Sequence, residues 1–209
     1  MAVTKIKSVS TIGGGKYEEL VIDGVVTVNG DLEAEVISVN GVVSFNGALE
    51  SKSSIKIEGV VTANDKLRAK LVDVNGVVTI HKDVEADHVT IHGVVTAKGQ
   101  VSADLVESWG MFSAEEVVGD KVIIHCDKKK KATIGGLLRF GRDVHKELPK
   151  VGTIEATEID VDGIRANNLN GHNIVIGPNC VVENVDCTGR LSIAPGAFVR
   201  NINGQPHMK

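Results

Sequence analysis

A right-handed parallel β-helix, an all-β solenoid of triangular coils about 17 residues long, is the fold class this chain predicts, and three observations carry it. The tripeptide Gly-Val-Val recurs at Gly24, Gly41, Gly59, Gly76 and Gly93, with Gly110-Met111-Phe112 as a degenerate sixth copy, in steps of 17, 18, 17, 17 and 17 residues. Within each copy the regular residues fall on alternate positions, as in Gly24, Val26, Val28, Gly30, Leu32 and Ala34, and a period of two belongs to strand. Apolar residues reach 42% while aromatics stop at 3%, so the core is narrow and made of Val, Ile, Leu and Ala. Seventeen residues cannot hold two helices and their turn, which removes the helical repeats.

Each element follows from that unit. Residues 1–16 read as an N-terminal tail, Gly-rich at Gly13 to Gly15 and without the apolar block of a signal peptide. Residues 17–126 hold six coils, each divided into about three short strands, with Asn29-Gly30 and Asn46-Gly47 at corners that call for positive φ. Successive coils pair in parallel, so Val26, Val43, Val61, Val78 and Val95 form one inward column and Leu32, Leu49, Leu67, Val84 and Val101 another. Ala34, Ser51, Ala69, Ala86 and Ala103 fill a narrow part of the interior. A parallel crossover is right-handed in nearly all folds, which sets the expected hand.

The repeat breaks at 127–150, where eight Lys or Arg stand against three Asp or Glu, a local +5 in a chain of net −4. Ile134, Leu137, Leu138, Val144 and Leu148 are spaced as in a short basic amphipathic helix. Lys128, Lys129, Lys130, Lys131, Leu137, Leu138, Arg139, Phe140 and Arg142 are therefore candidates for contact with an anionic membrane or partner, and a loop folded back on the rod is the plainer expectation. After Pro149 the pattern resumes more loosely through 151–203, enough for about three further coils that either continue the first rod or lie beside it, before a tail at 204–209.

With these motifs in view, the chain resembles the bactofilin family of polymer-forming bacterial cytoskeletal proteins, in particular its longer Firmicutes members. "VTVNGDLEAEVISVNG" is similar to the family's Ile-x-Gly-Asp-Leu-x-Ala-x-x-Leu coil, and "GHNIVIGPNCVVENVDCTGRLSIAPGAFV" to the closing segment of those longer members. The resemblance implies end-to-end assembly without nucleotide, often at the membrane, in support of cell shape, envelope growth or motility. The basic insert and the short tails depart from the compact members, which have one uninterrupted helix between disordered tails.

The expected function is thus structural: no enzyme, no cofactor or metal, no nucleic acid or small-molecule substrate, and a partner that is a second copy or a sister protein. No apolar stretch of about 18 residues is present to span a bilayer, and Cys126, Cys180 and Cys187 lack paired spacing, so a cytoplasmic protein with reduced thiols is expected, possible membrane contact being at its inner face. Tyr17, Leu20 and Ile22 at one end and Leu191, Ile193 and Phe198 at the other are the candidate polymer interface. The outward column Val25, Val42, Val60, Val77, Val94 and Met111 is expected to seat the insert or the second segment, with lateral pairing of rods as the alternative.

The rival reading is a left-handed hexapeptide-repeat acyltransferase with His172 as its base. A six-residue walk from Val28 meets Ala34, Asn40 and Asn46, so that register is lost within two coils. His81, His88, His92 and His125 stand at different offsets from their preceding glycines and do not stack as a metal site. Gly13-Gly14-Gly15-Lys16 lacks the spacing of a phosphate loop, and a single Trp and Tyr give no platform for polysaccharide.

Overall fold

Period-two patterning with glycine punctuation forces strands that turn sharply, and the chain winds into a parallel β-solenoid of about 11 turns at a spacing near 17 residues. The computed structural model describes residues 2–126, 148–204 and 206–208. The chain is 77% strand, with no helix among the described residues.

Three parallel ladders run the length of the rod and define three faces. A valine face stacks Val42–Phe45, Val60–Ala63 and Val77–Ile80 on the first part of Val25–Val39. A leucine face pairs Leu32 with Leu49, Leu49 with Leu67, Leu67 with Val84 and Val84 with Val101. An isoleucine face stacks Leu71–Val74 between 54–57 and 88–91. The expected columns are all present: Val26, Val43, Val61, Val78 and Val95 are buried in register, as are Leu32, Leu49, Leu67, Val84 and Val101. Ser51, in the narrow column with Ala34 and Ala69, satisfies its hydroxyl by donating to the Glu35 carbonyl at 2.8 Å.

The recurring glycines are required by close approach, not by dihedral freedom. None of Gly24, Gly41, Gly59, Gly76, Gly93 and Gly110 has positive φ. A Cβ at Gly41, Gly59 or Gly76 would instead lie 1.9 Å from the carbonyl oxygen of the glycine one coil earlier. The corners expected at positive φ divide accordingly: Gly30 has φ 95, but neither Asn46 nor Gly47 does. The asparagines serve another purpose, since Asn46 donates to Asn29 and Asn64 to Asn46, each at 2.8 Å, tying three coils through a side-chain ladder.

The second segment continues the first rod. Met111–His125 pairs directly with Lys150–Asp162, which pairs with Arg165–Ile176, so the strands before and after 127–147 belong to consecutive coils of one rod. The second segment therefore does not seat on the outward valine column, and the insert, the other occupant expected there, lies outside the described residues. Residues 150–204 make four coils where about three were anticipated, because the coils shorten. Asn168 donates to Thr153 across 15 residues, Asn184 to Asn168 across 16 and Asn201 to Asn184 across 17.

Both supposed tails belong to the solenoid. Val3–Ile6 pairs with 19–22, residues 10–13 and 15–17 pair with 26–29 and 32–34, and His207–Met208 pairs with Arg190 and Leu191. The alternation of Val3–Ile6 matches that of 19–22, so Lys5 points outward while Ile6 follows Ile22 inward.

Two outcomes test this packing. Gly76→Ala should destabilise the rod by roughly 2–4 kcal/mol, whereas Gly13→Ala, where an added Cβ meets nothing within 4 Å, should stay within about 0.5 kcal/mol, both read from urea denaturation. Ser108 interrupts the Val39, Ile57, Val74, Ile91, Ile124 column, and its buried hydroxyl has no hydrogen-bond partner, so Ser108→Ala should raise stability by about 1 kcal/mol in the same measurement.

Candidate assembly surfaces

The ends of a solenoid are where its ladder stops. Among the described residues, Val3–Ile6 pairs with Ser10–Ile22 alone, Phe198–Gly204 with Val181–Cys187 alone, and His207–Met208 with Arg190–Ile193 alone. An unpaired parallel edge offers N–H and C=O groups to another strand.

The inward residues of the terminal coils follow from the register. At the first end they are Thr4, Ile6, Ser10, Ile12 and Tyr17; at the other, Ile193, Ala197, Val199 and Ile202. Ile6, Ile12, Tyr17, Ile193, Ala197 and Val199 are packed against the core yet only partly buried, and Ile202 is 44% exposed. Interior residues of the same columns, such as Leu32, Val182 and Val185, are sealed.

This redistributes the expected interface residues. Tyr17 and Ile193 lie on the end coils. Leu20, Ile22 and Leu191 are fully buried one coil further in, the first two beneath Val3–Ile6 and the third beneath His207–Met208. Phe198 is 55% exposed, but it shares an outward column with Val181 and Arg165, so its ring lies on the flank and not in the stacking plane. Ile6, Ile12, Val199 and Ile202 were missed, although the two-residue phase of the neighbouring coils was in the sequence to find them.

At the first end an ion network crosses three coils: Glu33 takes Lys16 at 2.6 Å and Lys52 at 3.0 Å. The hydrogen bonds and charges of those two ammonium groups hold the Glu33 carboxyl below its ordinary range. At the insertion corner the Trp109 and His125 rings meet edge to face at 5.2 Å, and His125 Nε2 lies 2.9 Å from Asp160 Oδ1. The candidate contact residues Lys128, Lys129, Lys130, Lys131, Leu137, Leu138, Arg139, Phe140 and Arg142 lie outside the described residues. Leu148, which closes that segment, is half-buried. Val25, Val42, Val60 and Met111 of the outward column are exposed.

His172, the acyltransferase candidate, borders an open depression of roughly 490 Å³ lined also by Gly119, Glu155, Ala156, Gly171 and Asp186. Its Nδ1 pairs with the Thr188 hydroxyl at 3.1 Å, and its ring rests on Gly189, where a Cβ would come within 2.7 Å. Among the described residues no three of His, Cys, Asp and Glu gather as a metal set, and no helix is long and apolar enough to cross a membrane. Cys180 and Cys187 are buried, donating to the Val161 and His172 carbonyls, and burial pushes the Cys180 thiol up.

No family model, curated protein or solved structure matches the chain.

A depressed carboxyl pKa stabilises the fold above the unfolded value, and that contribution is lost as pH falls through the folded one. Glu33→Gln should therefore lower the amide-exchange protection of 15–17 at pH 7. The difference from the unchanged chain should vanish in acid, once Glu33 is protonated.

Proposed function

We propose that this chain is a structural protein of the bactofilin type, a rod that assembles end to end into nucleotide-independent polymers. The observation that carries the reading is the state of the terminal coils: both present inward apolar residues that are only partly covered, beside backbone edges paired on one side. Nothing about a coil distinguishes a neighbour in the same chain from one in the next, so the interaction that builds the rod also extends it.

The register favours this over hexapeptide acyl transfer. The inward columns repeat at about 17 residues with two apolar positions per face, and coils of 15 and 16 near His172 leave no six-residue period there. Support for cell shape, envelope organisation or motility, a place in the cytoplasm, and a membrane or partner contact by the basic 127–150 segment belong to the same proposal. They rest on the family resemblance and on the local charge.

The test uses the purified chain without nucleotide. Sedimentation and negative-stain microscopy should show rods longer than a single solenoid. Ile202→Lys places a charge on an already exposed end position, so the monomer should fold while the concentration for half-assembly rises at least about tenfold, or 1.4 kcal/mol per joint. Phe198→Lys, on the flank, should leave assembly unchanged. Persistent monomer in the unchanged chain would overturn the proposal.

A further inference from the structure

Asparagine followed by glycine recurs along the chain, at 29–30, 40–41, 46–47, 75–76, 170–171 and 203–204. Such a pair carries its own chemistry. Glycine has no Cβ to shield its amide nitrogen, so that nitrogen can close on the side-chain carbon of the asparagine before it. Inside a strand the ladder fixes the peptides on both sides, and only the pairs 40–41, 46–47 and 75–76 lie at coil corners outside any strand.

These three corners differ at the atoms that would react. At two of them the glycine nitrogen is engaged: Gly41 donates to the Ile22 carbonyl and Gly76 to the Ile57 carbonyl, each at 3.2 Å. The Gly47 amide makes no hydrogen bond among the described residues. Its neighbours are the ones held, Asn46 by the Val28 carbonyl and Ala48 by the Asp31 carboxylate, each at 2.9 Å.

The side-chain oxygens differ in the same sense. Asn46 Oδ1 accepts from Asn64 Nδ2 at 2.8 Å and from the Ser44 hydroxyl at 3.4 Å. Asn40 and Asn75 instead direct their amides at carboxylates, Asp23 at 2.8 Å and Asp73 at 3.2 Å, with no donor on their own Oδ1 among the described residues. Ring closure puts negative charge on Oδ1, which a donor stabilises and a neighbouring carboxylate opposes.

We propose that Asn46 is a site of spontaneous deamidation in the folded rod, and that its conversion loosens the corner between two coils. The Gly47 nitrogen bonds to Asn46 Cγ and loses its proton to solvent, while the Cγ–Nδ2 bond breaks and Nδ2 leaves as ammonia with a proton taken from water. A second water then opens the cyclic imide at one of its two carbonyls, giving aspartate or its β-linked isomer. One water is consumed and one ammonia released, with no change of oxidation state.

Either product removes something the corner needs. A carboxylate at 46 has no N–H for Asn29 Oδ1, so the ladder through Asn29, Asn46 and Asn64 is cut. The β-linked isomer also adds a carbon to the main chain, where even a Cβ on Gly47 would lie 2.4 Å from the Gly30 carbonyl carbon. This chemistry is independent of whether rods assemble.

The experiment incubates the purified full chain in mildly alkaline buffer, folded and in denaturant, and maps tryptic peptides by mass spectrometry. Asn40 and Asn46 share the 17–52 peptide, where fragmentation separates them, and Asn75 lies in 71–82. In the folded chain the exchange of nitrogen for oxygen at Asn46 should run at least about tenfold ahead of Asn40 and Asn75, the factor for freeing a backbone amide held by 1.4 kcal/mol. In denaturant the three should convert at comparable rates. Asn64→Ala, which removes the donor on Oδ1, should slow Asn46 in the folded chain only. The converted chain should unfold at lower denaturant than the fresh one.

Asn40 or Asn75 keeping pace with Asn46 in the folded chain would overturn the proposal, as would an intact Asn46 where the denatured sample converts. Faster conversion in Asn64→Ala would overturn the part assigned to its amide. An unchanged unfolding midpoint after conversion would overturn the effect on the corner.

Discussion

The structure depends on how closely one coil can lie on the next at the glycine corner. Parallel strands stack at about 4.8 Å, and the corner between the isoleucine and valine faces meets that spacing by setting each recurring glycine from Gly41 to Gly110 against the carbonyl oxygen of the glycine beneath it. A single Cβ there would hold two coils apart and break register on all three faces, since the faces share one chain. The glycine column is thus what permits the Val, Leu and Ile columns to touch. The one extra residue in the 18-residue step from Gly41 to Gly59 is absorbed away from this corner, where Ala34 pairs with Ser51 but Val36 with Ser54, and Gly59 keeps its place on the column.

The legible part of the sequence is the part governed by that constraint. Where Gly-Val-Val punctuates the chain, coil boundaries, the inward columns and the small residues at Ala34, Ser51 and Ala69 could be read directly. Beyond Pro149 the column that began with Val26 passes through Pro149, Ile164 and Cys180 to Ala197, residues of unlike chemistry that no repeat search connects. Their coils close in fewer residues, and Gly163 turns with φ 66 against Cys126 instead of stacking on another glycine. Whether the second segment continues the rod is not legible because 127–147 separates Ala114 from its partner Val151 in the sequence.

The terminal coils show a different limit. Val3–Ile6 has only two inward positions, Thr4 and Ile6, too few for periodicity to distinguish strand from tail. Its identity as a rung comes from what lies beneath it, the Leu20 and Ile22 positions that would otherwise be open to water. Phase, not size, governs direction in a strand. Val199 follows Val182 inward, so Phe198 follows Val181 outward. A reading by phase would have placed Ile202 and Val199 at the end and Phe198 on the side.

The energetics of such an end explain why assembly would be adjustable. In a solenoid each internal coil is stabilised on two sides and each terminal coil on one, so joining two copies supplies one missing interface. Fully burying an aliphatic side chain contributes about 1.5–3 kcal/mol, and those at the ends are already partly covered, so only a fraction of that remains for each. Summed over Ile6, Ile12, Tyr17, Ile193, Val199 and Ile202, the gain is of the same order as the roughly 4–15 kcal/mol lost in immobilising a partner. A charge or a proline at a single end position would act on the same small difference, while the interior, with many more such contacts per chain, would scarcely register the change.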